Sequence, residues 1–193
     1  MLQNDKKLRH IFREVPMVAF RRARTIRNEI VRSDMNPPQT LKDSTSPCMT
    51  CKSTCHLICQ AGTITNNKTG KSVNITTGGN CKTSDIIYAA RCKICDLIYV
   101  GESKEELRSR FSKHRYDVNN RPDNNELTKH VHAHNHDFEK DVEVVILKQG
   151  FKSSAERKFF EDKFICILGT IAPNGLNVDM GNYAKEMYTM HQD

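Results

Sequence analysis

Two short segments, each with a tyrosine near its centre, most constrain what this 193-residue chain can fold into. Residues 85–91, around Tyr88, and residues 97–101, around Tyr99, are rich in β-branched and aromatic side chains, which favour strands. Residues 93–96 link the two segments and are short enough to form a turn. The pattern therefore predicts two paired strands of a small sheet.

Two helices are predicted after this strand pair. Ser103, followed three residues later by Glu106, has the spacing of a capping box, which predicts a helix that runs to about Asp117. Asp123 and Glu126 repeat that spacing and predict a second, shorter helix. The second helix would lead into a histidine-rich stretch.

A third strand and a last helix complete the pattern. Residues 141–147 alternate and then become continuously apolar, which is typical of a strand. Ser153 and Glu156 predict the start of the last helix. Three apolar residues of this helix are expected to share a face: Phe160, Phe164 and Ile167. The order β-β-α-α-β-α predicts an α+β fold over residues 84–179, with a small mixed sheet flanked by helices.

Residues 42–83 have a different composition from the segment that follows them. They are rich in Ser, Thr, Asn, Gly and Cys and poor in large apolar residues, so they need a staple to become ordered. Residues 63–65 and 72–76 alternate around a glycine-containing turn at 66–70, which predicts a β-hairpin.

The positive charge is concentrated at the start of the chain. Residues 1–33 contain nine Lys and Arg against three Asp and Glu, and so hold +6 of the net charge of +7. Residues 17–32 fit a basic amphipathic helix within an arm formed by residues 1–41. Such an arm suits a phosphate-bearing partner, and a solvated tail explains the charge equally well. Residues 180–193 are expected to form a loose tail, in which residues 183–190 could dock as a short helix.

Eight cysteines, several of them in Cys-x2-Cys units, indicate metal binding. No apolar run is long enough to span a bilayer, and the first residues lack a signal-peptide core. We therefore expect an intracellular protein without a membrane partner. Because reducing compartments disfavour disulfides, zinc is the expected ligand of the thiols.

Six polar residues occur in a fixed order: Tyr88, Tyr99, Arg110, His114, Glu161 and Asn177. Arg110 and His114 are four residues apart, so on a helix they project from the same face. Together with Gly101, this order resembles the GIY-YIG family of metal-dependent DNA endonucleases, and most of all the nuclease domains of Penelope-like retroelements. The chain departs from that pattern at Ile86, where the family has Gly, and at Val100, which replaces Ile.

The resemblance implies a role for each of these residues. Glu161 would hold Mg²⁺ or Mn²⁺ as a hard oxygen ligand, and Arg110 would clamp the phosphate with its planar guanidinium. Tyr88 is expected to activate the attacking water, and Tyr99 to orient the water or the phosphate. A phenol with a solution pKa of about 10 does so only where a metal and an arginine favour its ionised form. Assisting roles are expected at three further positions: a proton carrier or phosphate donor at His114, and structural support at Gly101 and Asn177.

A structural zinc site is predicted beside the tyrosine strands. The resembled nucleases carry two cysteines at the place of Cys92 and Cys95, and the ligands expected to complete this site are His130 and His136. His132 and His134 are the rival pair, and on a helix His130 and His134 would share a face, so the sequence leaves the choice of histidines open. Four protein ligands would leave no open position for water, so this zinc would not be catalytic.

A second zinc site is predicted in the Cys-rich segment. Five thiols are available there, and four of them are expected to bind the metal: Cys48, Cys51, Cys55 and Cys81. Cys59 is then spare. Cys166, in the apolar part of the last helix, is expected to be a buried small residue.

The sequence thus favours an endonuclease that nicks DNA with Mg²⁺ or Mn²⁺ and derives from a mobile element. The alternative is a zinc-stabilised nucleic-acid-binding module without cleavage activity, and a repair or restriction enzyme of the same family would share the chemistry. DNA is the expected partner, the nucleus the expected location, and no small-molecule cofactor is expected. The pattern leaves the target sequence and the oligomeric state open.

Overall fold

The computed structural model describes residues 44–51, 53–179 and 181, which all belong to one compact unit. The predicted basic helix at 17–32 and the predicted helix at 183–190 lie outside the described residues. Strands and helices of the described residues follow in this order: β1 (Thr45–Ser46), β2 (Thr63–Asn66), β3 (Lys71–Asn74), β4 (Gly79–Asn80), β5 (Ile86–Cys92), β6 (Leu97–Ser103), α1 (Leu107–Asn120), α2 (Glu126–Ala133), α3 (Phe138–Asp141), β7 (Val142–Gln149) and α4 (Ser154–Leu168).

A three-stranded sheet lies at the centre, in the order β6-β5-β7. Both of its strand pairs are antiparallel, so the expectation of a mixed sheet is wrong here. Among the described residues, parallel pairing is confined to the two-residue strands β1 and β4 and to two isolated bridges. The α+β class and the predicted element order are confirmed, with the short helix α3 added before β7.

The middle strand is buried on both of its faces, which explains why its sequence is almost continuously apolar. On one face, Ile86, Tyr88 and Ala90 pack with apolar residues of α1 and α2. On the other face, Ile87 and Ala89 pack with residues of β2, β3 and α4. Alternate residues of one strand therefore belong to two separate cores, as the period-two geometry of a strand requires.

The start of α1 differs from the predicted capping box. Ser103 stays in β6, and its hydroxyl donates to the Glu105 carbonyl instead of capping the helix. The first N–H groups of the helix donate to carbonyls of the Cys-rich segment, Leu107 N to Thr83 O at 3.0 Å and Arg108 N to Cys81 O at 2.9 Å. The first four N–H groups of a helix lack partners within the helix, so this segment caps the start of α1.

The other two predicted caps had different outcomes. Asn125, rather than Asp123, caps α2 by accepting a hydrogen bond from the Thr128 N–H at 3.1 Å. Ser153 caps α4 as predicted and accepts from the Glu156 N–H. The shared apolar face predicted for α4 is wrong at one member, because Ile167 is 38% exposed while Phe160 and Phe164 pack against the core.

The Cys-rich segment docks on the sheet and on α4 through a few polar links. The predicted hairpin is confirmed as β2 and β3, and its Asn66 side chain donates to the carbonyls of Leu168, Gly169 and Asn174. Near the start of the segment, the Thr45 hydroxyl accepts from the Ile146 N–H at 2.7 Å. No helix among residues 44–179 is both long and apolar enough to cross a bilayer.

Candidate active site and metal centres

The two tyrosines, Arg110 and His114 meet where β5 and β6 face α1. Tyr88 lies opposite Gly101 in the β5–β6 register, and its hydroxyl is 2.8 Å from His114 Nε2. The Arg110 Nε–H donates to the same hydroxyl at 3.2 Å. The rings of Tyr88 and Tyr99 are 6.4 Å apart between centroids. Four side chains expected at one site are therefore within contact distance of one another.

The position of hydrogen in this network follows from the cap of α2. Because Asn125 Oδ1 accepts from Thr128, its Nδ2 group, which is a donor, faces His114 Nδ1 at 3.2 Å. A neutral imidazole that accepts at Nδ1 carries its hydrogen on Nε2, so Nε2 donates to Tyr88. Burial, and then the charge of Arg110, lower the pKa of His114 to about 3, which keeps the ring neutral near pH 7.

Burial separates the roles of the two phenols. Tyr88 is fully buried and His114 is 1% exposed, so neither side chain meets bulk water in this arrangement. Tyr99 does line an open groove, together with Arg110 and Glu161. The expectation that Tyr88 meets the attacking water does not fit its burial, and neither does a phosphate contact by His114. Tyr88 instead accepts a hydrogen bond from Arg110, and His114 in turn holds the Tyr88 hydroxyl.

The groove at Tyr99 has a volume of about 320 Å³ and carries charges of both signs. Glu161 reaches it from α4 and Glu102 from β6. Burial, and then the neighbouring carboxylates of Glu102 and Asp162, raise the pKa of Glu161 to about 7. Burial also raises the pKa of Tyr99. A cation in this groove would relieve the repulsion between the carboxylates and favour both ionised groups.

Arg157 fixes the helix that carries Glu161, and the sequence pattern did not single it out. It lies one turn before Glu161 and is 5% exposed. Its guanidinium binds the Glu102 carboxylate on β6 and donates to Asp85 at 2.9 Å just before β5. The only signal for this role in the sequence was an arginine four residues before a candidate metal ligand. Its two partners are 55 and 72 residues away along the chain, so the sequence pattern could not identify them.

Gly101 and Asn177 shape the site from outside the groove. A Cβ atom at position 101 would lie 2.7 Å from the Tyr88 hydroxyl and 2.7 Å from the Tyr99 ring. The Asn177 side chain pairs with both backbone groups of Val100, at 3.0 and 2.8 Å, and also accepts from the Thr170 hydroxyl. Both residues have positions that suit the supporting roles expected of them.

Four cysteines of the Cys-rich segment converge on one point: Cys48, Cys51, Cys55 and Cys81. Their sulfur atoms lie within 4.8 Å of one another, and Cys55 is 3.3 to 3.6 Å from each of the other three. Tetrahedral zinc with Zn–S bonds of about 2.3 Å brings thiolates about 3.8 Å apart, so the cluster can hold a metal such as zinc. Burial raises the pKa of Cys55 and Cys81, and a bound cation would offset that effect.

A second convergence joins the β5–β6 turn to α2 and consists of Cys92, Cys95, His130 and His136. Cys95 Sγ is 3.2 Å from His136 Nε2. Among the described residues, His130 Nε2 is buried without a hydrogen-bond partner, an arrangement that ordinarily costs about 1–3 kcal/mol. A metal bound there would supply the missing partner. Burial, and then His134 and His136, lower the pKa of His130 to about 4, which keeps it in the neutral form that binds metal.

The remaining histidines and cysteines of the prediction belong to neither cluster, although the ring of His134 contacts those of His130 and His136. His132 Nδ1 is 3.1 Å from the Val118 carbonyl, and His134 Nδ1 is 3.0 Å from the His130 carbonyl. Cys59 lies in a small cavity beside Glu143 and outside both clusters. Cys166 is partly exposed, so its expected burial is wrong.

The described residues thus bring Tyr99, Arg110 and Glu161 together in a groove, and they contain two clusters with the ligand sets of structural zinc sites. Comparisons of the chain with protein-family models, with curated proteins and with solved structures found no match.

Proposed function

We propose that this chain is a divalent-metal-dependent endonuclease that hydrolyses DNA phosphodiester bonds, with structural zinc in both cysteine clusters. One observation carries the proposal: Tyr99, Arg110 and Glu161, which are remote in sequence, line a single groove. These are the three side-chain types that phosphodiester hydrolysis uses, to orient water, to balance charge on phosphate and to hold a metal.

Each residue of the groove has a task that follows from its position. Glu161 would hold Mg²⁺ or Mn²⁺, with Glu102 nearby, and a bound ion would polarise the phosphate and lower the pKa of water. Arg110 cannot lose its proton, and its planar fork matches phosphate oxygens. Tyr99 is the phenol at the surface of the groove and would orient the attacking water in line with the leaving oxygen.

Tyr88 and His114 would act through Arg110. Tyr88 accepts hydrogen bonds from both Arg110 and His114. Movement of the guanidinium towards a phosphate would uncover the Tyr88 oxygen and open it to the groove. Tyr88→Phe should therefore lower the cleavage rate less than Tyr99→Phe, and the reverse order would return Tyr88 to the role of water activator.

The resemblance to GIY-YIG nucleases supports the same proposal from the sequence side. Cys92 and Cys95 stand between the two tyrosine strands, as in Penelope-like retroelement nucleases, and a mobile-element origin is part of the proposal. A nuclear location would follow from a DNA substrate. One groove of this kind would cut one strand at a time, so we propose nicking as the product of a single chain.

A plasmid assay tests the proposal. Purified protein is incubated with supercoiled plasmid and Mg²⁺ or Mn²⁺, beside Glu161→Gln and beside Glu126→Gln, which changes a carboxylate on α2 outside the groove. We expect nicked circles with the wild type and with Glu126→Gln, and at least a hundredfold slower nicking with Glu161→Gln. Equal nicking by all three proteins would mean a contaminating nuclease and would remove the enzymatic proposal.

A nucleic-acid-binding module without cleavage is the second candidate. The raised pKa of Glu161 favours it to a degree, because a protonated carboxyl near pH 7 binds Mg²⁺ poorly. Retarded but uncut DNA at pH 8, where Glu161 is mostly ionised, would support this candidate over the first.

A further inference from the structure

A second open groove adjoins the candidate active site. It has a volume of about 450 Å³, runs along the outer side of α1 and is lined mainly by polar and charged side chains. Arg110 and Lys113 line both grooves, so the two lie side by side. No residue that we have placed in the metal centres takes part in this second groove.

Residues of the second groove follow one stripe of α1. Arg110, Lys113 and Asp117 are three or four residues apart, and Arg121 follows at the helix end. Such spacing places side chains on one face of a helix. With a rise of 1.5 Å per residue, Arg121 lies about 16 Å along the axis from Arg110, so the stripe leads away from the active-site groove.

The balance of charge in this groove is positive. Three cations line it, and one of them, Lys113, pairs with Glu105 outside the groove. The one carboxylate of the groove, Asp117, is largely buried and accepts a hydrogen bond from the Asn124 side chain at 2.7 Å. Arg121 is exposed and forms no ion pair with any residue in the described part of the chain. A free guanidinium at the end of a helix beside an open groove is suited to a phosphate.

Tyr116 gives the groove an aromatic wall. Its side chain lines the groove on the same turn of α1 as Lys113, and the residue is 55% exposed. A large aromatic side chain left this open forms little of the core. Proteins that bind single-stranded nucleic acid combine such a ring, on which a base stacks, with cations that follow the backbone.

We infer that this second groove holds an unpaired nucleotide of the DNA strand a few nucleotides from the scissile phosphate, with its base on Tyr116 and its phosphate on Arg121. The inference rests on the proposed nuclease in one respect: Arg110 and Lys113, shared by both grooves, set the direction of the strand. It assigns the substrate an unpaired stretch near the cleaved bond. Uniform duplex DNA could not place a base on the ring without unstacking it.

Binding measurements without cleavage test the inference. Fluorescein-labelled eight-nucleotide dT strands are titrated with the full chain by fluorescence anisotropy, in buffer without added Mg²⁺ or Mn²⁺ so that no strand is cut. We expect Tyr116→Ala to weaken binding about tenfold and Tyr116→Phe to bind like the wild type, because stacking needs the ring and not the hydroxyl. Phe159→Ala, at an exposed aromatic residue on α4, is the matched control.

The salt dependence of DNA binding distinguishes the contribution of the Tyr116 ring from that of the Arg121 cation. Removing one phosphate contact to a single strand should reduce the slope of log K against log salt by about 0.7. We expect this change with Arg121→Ala and an unchanged slope with Tyr116→Ala. Lys129→Ala, at an exposed cation of α2 outside the groove, should change neither the slope nor the affinity.

Abasic strands identify the stacked base. When each position of the strand is made abasic in turn, one position should weaken binding by the wild type but leave Tyr116→Ala unaffected. Equal binding of all strands by wild type and Tyr116→Ala, or the same loss with Phe159→Ala, would overturn the inference. So would a wild type that binds only blunt duplex.

Failure of the inference and failure of the proposed nuclease can be told apart. If the wild type nicks plasmid and Tyr116→Ala binds single strands normally, the inference is wrong and the nuclease stands. If Tyr116→Ala loses affinity as expected but the wild type never nicks, the nucleotide site stands in a binding module. Thermal unfolding of each variant shows whether a loss of affinity reflects a loss of fold.

Discussion

The Cys-rich segment up to Thr83 and the part of the chain from Ile86 onward reach a defined structure by different means. The first contributes three buried aliphatic residues, Leu57, Ile64 and Ile75, to cores that belong mainly to the second. The second part has apolar residues on both faces of its sheet. A segment with so little apolar surface of its own depends on docking to its neighbour, and its four clustered thiols could add a bound metal.

The dependence also runs in the other direction at one place. The carbonyls of Cys81 and Thr83 accept the first hydrogen bonds of α1, the helix that carries Arg110. A segment that is weakly stabilised by its own residues therefore supports part of the candidate active site. Apolar burial thus stabilises one part of this small fold, the other part has thiols that could hold a metal, and the candidate active site lies where the two parts meet.

The largest expected effect is the loss of metal from the four-cysteine cluster. Cys81→Ser should destabilise residues 44–83 by at least about 4 kcal/mol, because structural zinc contributes much of the folding energy of segments like this one. Hydrogen exchange should show the amides of this segment losing protection while β5 and β7 keep theirs. Cys59→Ser, outside both clusters, is the matched control and should change little. Equal loss of protection in the sheet would contradict the division into two differently stabilised parts.

Arg157→Met tests whether a polar link also matters in the part with the large core. We expect a loss of about 3 kcal/mol in the free energy of unfolding, because Glu102 and Asp85 would lose a buried partner. Urea unfolding measures this loss, with Lys158→Met, an exposed neighbour, as control.

The double variant Arg157→Met with Glu102→Gln should recover part of the stability, since it removes the unpaired carboxylate. If the double variant is no more stable than the single one, the arginine acts by packing and not by charge. Movement of α4 should also weaken the proposed binding of Mg²⁺ at Glu161 in Arg157→Met.

The pH dependence of stability should reveal the candidate metal ligand. Because the pKa of Glu161 is raised to about 7 in the folded chain, this group keeps a proton that the unfolded chain loses above its ordinary value of 4.5. The free energy of unfolding should therefore fall by about 2 kcal/mol as the pH rises from 4.5 to 7, without added Mg²⁺. Glu161→Gln should remove this fall. An identical pH profile of stability for both proteins would mean that the raised pKa belongs to a group other than Glu161.

Two asparagines compare the two parts directly. Asn66 is completely buried, and its side-chain NH2 group donates to three carbonyls. Asn66→Ala should therefore lower the free energy of unfolding by about 2 kcal/mol and free the hairpin from its neighbours. Asn125→Ala removes the cap of α2 and the hydrogen bond to His114 Nδ1, and should lower the free energy of unfolding by about 1 kcal/mol.

Differential scanning calorimetry and hydrogen exchange measure both variants. Asn66→Ala should raise exchange in β2 and β3 alone, whereas Asn125→Ala should lower stability without a local signal. The opposite ranking would mean that the hairpin is held by its apolar residues.

Local signals in the sequence were sufficient wherever the neighbours along the chain decide the structure. The Ser153 cap and the β2–β3 hairpin are of this kind. Ser103 has the same capping pattern as Ser153, but pairing of β6 with β5 extends to Ser103 and keeps it in the strand. Tertiary pairing overrides a local preference there.

Contacts between distant parts of the chain determine the features that the sequence pattern did not predict. Nothing in the spacing of the five thiols excludes Cys59, which leaves the cluster because its backbone N–H donates to the Val144 carbonyl on β7. The order of chemical groups placed Glu161 and Arg110 in one groove, but which phenol faces that groove depends on burial by α1. Burial of this kind results from tertiary packing and cannot be predicted from the order of residues in the sequence.

The close approach of Gly101 to both phenols makes this position a marker in sequences of the same pattern. Its backbone does not need the left-handed region, so the requirement is one of space. An alanine there would push a methyl group against the Tyr88 oxygen and the Tyr99 ring. Among sequences with this pattern, we expect those with any side chain at this position to be the ones in which the two tyrosines no longer take part in the proposed reaction, even where every polar residue is retained.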